Sequence, residues 1–131
     1  MVRPMIAPDA DAIALLAETA MARIPAELRK HLGEVAIAIE ELADDETLEG
    51  LGIDSPYDLT GLYRGTPRHL RGANDGGRLP DLIVLYRQAI LLEWIETGEE
   101  LGRLVGSVLI HEAAHHFGFS DAEIEALEAA P

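Results

Sequence analysis

The chain has 131 residues, 48% of them hydrophobic, which suits one domain around a single apolar core and leaves no room for a second. Its 24 acidic residues against 10 basic ones give a formal charge of −14, which repels phosphate backbones and anionic lipid surfaces and argues against nucleic-acid and membrane partners. Cysteine is absent, so disulfides and thiolate metal sites are excluded, and any metal has to be held by His, Asp or Glu.

The opening stretch MVRPMIAPDADAIALLAETA is no secretory h-region, because Pro8, Asp9 and Asp11 interrupt it, and no run elsewhere reaches the roughly 18 apolar residues of a membrane span. The expectation is a soluble, cytoplasmic protein. Ile13, Leu16, Ala20 and Ile24 recur at helical spacing and predict a helix over 9–24, with Asp9 or Asp11 as its cap. Pro25 starts a short second turn of helix that ends at Gly33, and EVAIAIE then alternates Val35, Ile37 and Ile39 with small or charged residues, the pattern of a half-buried strand. ADDETLEGLGIDSP reads as a loop with at most a short helix, and LTGLYRG as a strand that stops at Gly65 and Pro67. After the turn-rich segment 65–80, DLIVLYR is a continuous β-prone run, expected to be covered on both faces, and AILLEWI leans to helix. Thr97 and Glu100 form a T-x-x-E capping box for a helix from 97 to about 117, carried by Leu101, Leu104, Val105, Val108, Leu109 and Ala113. Gly118 ends it as a left-handed residue, and Gly102 and Gly106, one turn apart, allow close packing against another element. The fold class predicted is α+β, a small mixed sheet of three or four strands packed against two main helices.

The chemistry concentrates in HEAAHHFGFSD, residues 111–121, which holds three of the five histidines. His111 and His115 are four residues apart on a predicted helix, so they project about 40° apart around its axis and can share one ion. Glu112 projects about 100° from His111, placed to reach a metal-bound water rather than the metal. Chance gives H-E-x-x-H roughly 0.02 times in a chain of this composition, so coincidence is disfavoured. Zinc suits such a site: it takes imidazole nitrogen, needs a third protein ligand and leaves a fourth position for water. Gly118 lets the chain turn back and bring Asp121 under the ion as that third ligand. Asp121 also has a purely structural role open to it, because SDAE is a capping box from Ser120 to Glu123 that opens a C-terminal helix. The other candidates for third ligand are Glu123, Glu125, His69 and His116, the last pointing about 100° from His115 and better suited to a supporting or surface place.

The chain resembles the small bacterial zincin-like metallopeptidases, single domains with H-E-x-x-H-x-x-G-x-x-D near the C-terminus. The resemblance runs through LTGLYRGTP, LPDLIVLYR and HEAAHHFGFSD in that order, and His111, Glu112, His115, Gly118 and Asp121 match the motif. It implies a minimal zincin fold over 1–131, zinc held by His111, His115 and Asp121, Glu112 as general base, and a peptide or protein as substrate.

Two features stand beside the motif. The loop RGTPRHLRGANDGGR carries Arg64, Arg68, Arg71 and Arg78, four of the ten cationic side chains, and reads either as a solvated loop or as a flap drawing an acidic substrate. Tyr63 and Tyr86 end predicted strands, where packing is the ordinary role and hydrogen bonding to an oxyanion the functional one. A metal-dependent ribonuclease with a final His in place of Asp121 and a non-catalytic zinc-stabilised binding module are the alternatives; the Asp and the acidic charge weigh against the first.

Overall fold

Residues 6–32, 35–65, 81–120 and 122 are described by the computed structural model. Helix α1 (Ala10–Ala22) begins where the Asp9 side chain accepts a hydrogen bond from the Ala12 N–H at 2.8 Å, and it buries Ile13, Ala17 and Ala20. After the short α2 (Ala26–Arg29) and a 3-10 turn at Lys30–Leu32, strand β1 runs Val35–Glu40. Asp44 caps α3 (Asp45–Leu51) by accepting from the Thr47 N–H, and hydrogen bonding from the Thr47 side chain, together with that N–H, holds its carboxyl below the usual range. A second 3-10 turn, Pro56–Asp58, leads into β2 (Gly61–Arg64), and β3 follows at Asp81–Tyr86.

The three strands form a mixed sheet in the order β1-β3-β2. Strand β1 lies parallel to β3, pairing Ile37 with Ile83, and β2 lies antiparallel, pairing Tyr63 with Ile83. The central position of β3 follows from its composition: a continuous apolar run needs cover on both faces, and only the middle strand of a covered sheet has it. Ile83 and Leu85 face a core shared with α1 and α5, while Val84 and Tyr86 face a second cluster with Ala43, Leu48 and Ala89.

AILLEWI lies within α4 (Arg87–Thr97), a helix as the sequence suggested. The single helix expected from 97 is corrected, because Thr97 closes α4 and the next helix, α5, spans Leu101–His116. Gly98 causes the break at φ 71°, a left-handed conformation that a side chain resists. Glu100 then caps α5 in place of Thr97, its carboxylate accepting from the N–H groups of Gly102 at 3.0 Å and Arg103 at 3.1 Å. On α5, a Cβ at Gly106 would stand 3.4 Å from the Ala20 Cβ, so small residues set the close approach of α1 and α5. Among the described residues, no helix is long and apolar enough to cross a membrane.

Candidate metal centre

Helix α5 buries Leu104, Val105, Val108, Leu109 and Ala113, and that packing fixes which way the next turns face. His111 and His115, four residues apart, project together toward a cavity of about 780 Å³. Their ring centroids are 5.3 Å apart and their planes 73° apart, so the imidazoles sit edge to face rather than stacked. Glu112 lies between them with its side chain 11% exposed, and its Oε1 is 3.9 Å from His115 Nε2. One ligand atom from each of His111, Glu112 and His115 falls within 4.8 Å of the other two. Among the described residues these three form the group able to share an ion.

The helix end is shaped to hold His115. Phe117 N–H donates to Ala114 O at 3.1 Å, Gly118 N–H to His115 O at 2.9 Å and Phe119 N–H to Ala114 O at 3.2 Å, so the backbone folds back under the last turn. Gly118, at φ 89°, supplies the left-handed residue this reversal needs. The reversal places Phe119 O at 3.0 Å from His115 Nδ1. A carbonyl can only accept, so Nδ1 carries the proton and Nε2 keeps its lone pair for the cavity. Two imidazole nitrogens, with a carboxylate beside them, in a chain without thiolates suit zinc.

The cavity is also lined by β2 through Gly61 and Tyr63 and by Thr60 just before it, and Leu51, Ile53 and Phe119 add apolar surface. Gly61 permits the close seating of α5: a Cβ there would stand 2.7 Å from Val108 Cγ1 and 3.2 Å from Glu112 Cγ. Tyr63 lines the cavity, and its hydroxyl lies 3.0 Å from His116 Nδ1. Tyr86 does not belong to the cavity wall; it is fully buried in the second cluster, where burial pushes its hydroxyl pKa up. Arg64 sits on that same face of β2, 3.8 Å from Glu40, with its Nη2 donating to the Tyr86 hydroxyl at 3.5 Å. Asp121, His69, Glu123 with its half of the Ser120–Glu123 capping box, Glu125 and the loop arginines Arg68, Arg71 and Arg78 lie outside the described residues.

His116 and Asp81 went unread as a pair in the sequence. Both are buried, and His116 Nδ1 lies 3.3 Å from Asp81 Oδ2. The available signal was an aspartate heading an otherwise apolar buried strand, a position that demands a polar partner.

A comparison with curated proteins returns no match. The family model for zincin-like metallopeptidases matches residues 32–130, a span that includes the sheet, the cavity and the whole of the histidine motif. With most of its length covered, the chain belongs to the zincin-like metallopeptidase family.

Proposed function

We propose that this protein is a zinc-dependent peptidase in which His111 and His115 hold the metal, Asp121 completes the protein ligands and Glu112 is the general base. The observation that carries the reading is the convergence of His111, Glu112 and His115 within 4.8 Å on the wall of an open cavity. Family membership supports the reaction class, metal-assisted hydrolysis.

Zinc, when bound, would lower the pKa of its water towards neutrality and polarise a carbonyl oxygen. The protein's own groups do the rest. The Glu112 carboxylate, nearly enclosed between α5 and β2, takes the proton from the attacking water and returns it to the leaving amine. His115 is held in one tautomer by Phe119 O, so its Nε2 lone pair points where a ligand is needed. The substrate is a peptide or protein segment in extended form. Among the described strands β2 is the outer one and lies beside the cavity, where such a segment can align with it as an added strand. The apolar surface from Leu51, Ile53 and Phe119 then receives its side chains.

Glu112→Gln tests the assignment, because glutamine keeps the size and hydrogen-bonding reach but cannot take a proton. The variant is expected to retain one zinc per chain by elemental analysis while losing hydrolysis of any peptide the wild type cleaves, a loss of at least ~100-fold. Cleavage at the wild-type rate removes Glu112 from the role of base, and purified wild type without zinc removes the reading altogether.

A further inference from the structure

The ligand histidines sit in the last two turns of α5, where a helix has run out of hydrogen-bonding partners and tends to fray. His115 depends on that end staying closed, because the carbonyl that orients its ring belongs to Phe119, beyond the helix. Something has to hold the terminal turn against the sheet. His116, the final residue of α5, is completely buried, and its Nδ1 lies 3.3 Å from Asp81 Oδ2 at the start of β3 and 3.0 Å from the Tyr63 hydroxyl of β2.

From this convergence we propose that Asp81, His116 and Tyr63 are positioning residues for the metal centre. They tie the C-terminal turn of α5 to two strands so that His115 and the carbonyl behind it are set before zinc arrives. The inference rests on reading His111 and His115 as zinc ligands. Three features support it. Asp81 and His116 are both shut off from water, and the 3.3 Å contact between their polar atoms exists only with the helix end at one height along the sheet. The rings of Tyr63 and His116 meet edge to face at a centroid distance of 5.8 Å, which fixes the rotation of the helix end as well as its height. Space around the group is also fully used: a Cβ on Gly65 would overlap the Asp81 carboxylate and lie 2.9 Å from the Tyr63 hydroxyl.

The test measures zinc affinity of the full-length chain by competition with a chromophoric chelator, beside the melting temperature and the visible d–d spectrum of the cobalt-substituted protein. Tyr63→Phe removes one hydroxyl and leaves the ring, and Asp81→Asn keeps shape and removes the carboxylate. Ile90→Val, fully buried in α4 and outside the cavity wall, serves as a control for simple loss of stability. Expected are zinc affinities about tenfold or more weaker in Tyr63→Phe and Asp81→Asn, the range found when groups supporting a ligand are lost, with an altered cobalt spectrum. Ile90→Val is expected to melt earlier and bind zinc as the wild type does. If Asp81→Asn does not fold, Tyr63→Phe alone decides. Wild-type zinc affinity and cobalt spectrum in a folded Tyr63→Phe and Asp81→Asn, whatever their melting temperatures, overturn the proposal while leaving the metal centre intact. Equal weakening in Ile90→Val overturns it as well, by showing that affinity merely follows stability. A wild-type chain that takes up no zinc overturns the metal centre itself, and the positioning role with it.

Discussion

Replacing Gly61 by alanine puts one methyl group where the structure has no room for it. The added Cβ would be 2.7 Å from Val108 Cγ1, 3.2 Å from Glu112 Cγ and 3.4 Å from the Val84 carbonyl oxygen. An unstrained carbon–carbon contact is ~3.5–4.0 Å, so α5 and β2 have to separate by roughly 1 Å or Val108 has to rotate. Rotation is a poor escape, since a β-branched side chain on a helix has one strongly preferred rotamer. The cost is that of an overpacked core, about 1–3 kcal/mol, or a melting temperature lower by roughly 4–12 °C in a chain of this size. Because the displaced surface carries Glu112, hydrolysis should suffer more than stability. A shift of ~1 Å in a reacting group costs on the order of 100-fold in rate. Thermal unfolding followed by circular dichroism reads the first effect and steady-state cleavage the second. A double-mutant cycle isolates the cause: Val108→Ala alone loses packing worth about 2 kcal/mol, but in the Gly61→Ala background it removes the clash, so the pair should cost at least ~1 kcal/mol less than the sum of the single changes. Additive costs, or a Gly61→Ala protein that melts with the wild type, would refute the argument that this glycine sets the distance between strand and helix.

The ligand assignments make three further predictions. His111→Ala should abolish stoichiometric zinc in elemental analysis, and unchanged zinc content would exclude His111 as a ligand. Chelation should lower the melting temperature of the wild type and leave that of His111→Ala where it is, because a metal that binds only the folded state stabilises only where it binds. Asp121→Asn should weaken zinc by at least ~10–100-fold if the carboxylate is the third ligand, whereas a residue that only complements a helix dipole contributes about 0.3–1 kcal/mol to stability and nothing to the titration. A zinc titration of Asp121→Asn that overlays the wild type would move the search for the third ligand to Glu123, Glu125 and His69.

What the sequence discloses here is what local periodicity determines. DLIVLYR announces a strand covered on both faces, and β3 is central with Ile83 and Val84 buried on opposite sides. The four-residue spacing of His111 and His115 is likewise a property of any α-helix, so their shared direction was readable before the fold was known. The boundary between α4 and α5 was not. Thr97 and Glu100 satisfy the capping-box pattern, yet Gly98 sits between them in a left-handed conformation, and the choice between the two signals depends on where Ile90 and Leu104 find their core. Long-range polar pairing was equally hidden. Asp81 meets His116 because the register of β2 and β3 and the height of α5 along the sheet coincide at one point, and no spacing within a single element encodes that coincidence.

The arrangement also explains how so small a chain can hold the Glu112 carboxylate still. Helix α5 is engaged on three sides: Gly106 meets α1, Val105, Leu109 and Ala113 enter the apolar core against the sheet, and His111, Glu112 and His115 turn to the cavity. Two of those sides are packed and can tolerate little movement, since cores are dense and resist even a methylene of extra volume. The third is open and must remain so for a substrate to enter. Rigidity at the cavity therefore has to come from the other two faces and from the anchored end at His116, not from contacts within the cavity itself. This division accounts for the small residues at Gly61 and Gly106. Each removes a side chain where α5 must approach a neighbour, and the closeness so gained holds Glu112 within reach of both histidines while its carboxylate stays accessible from the cavity.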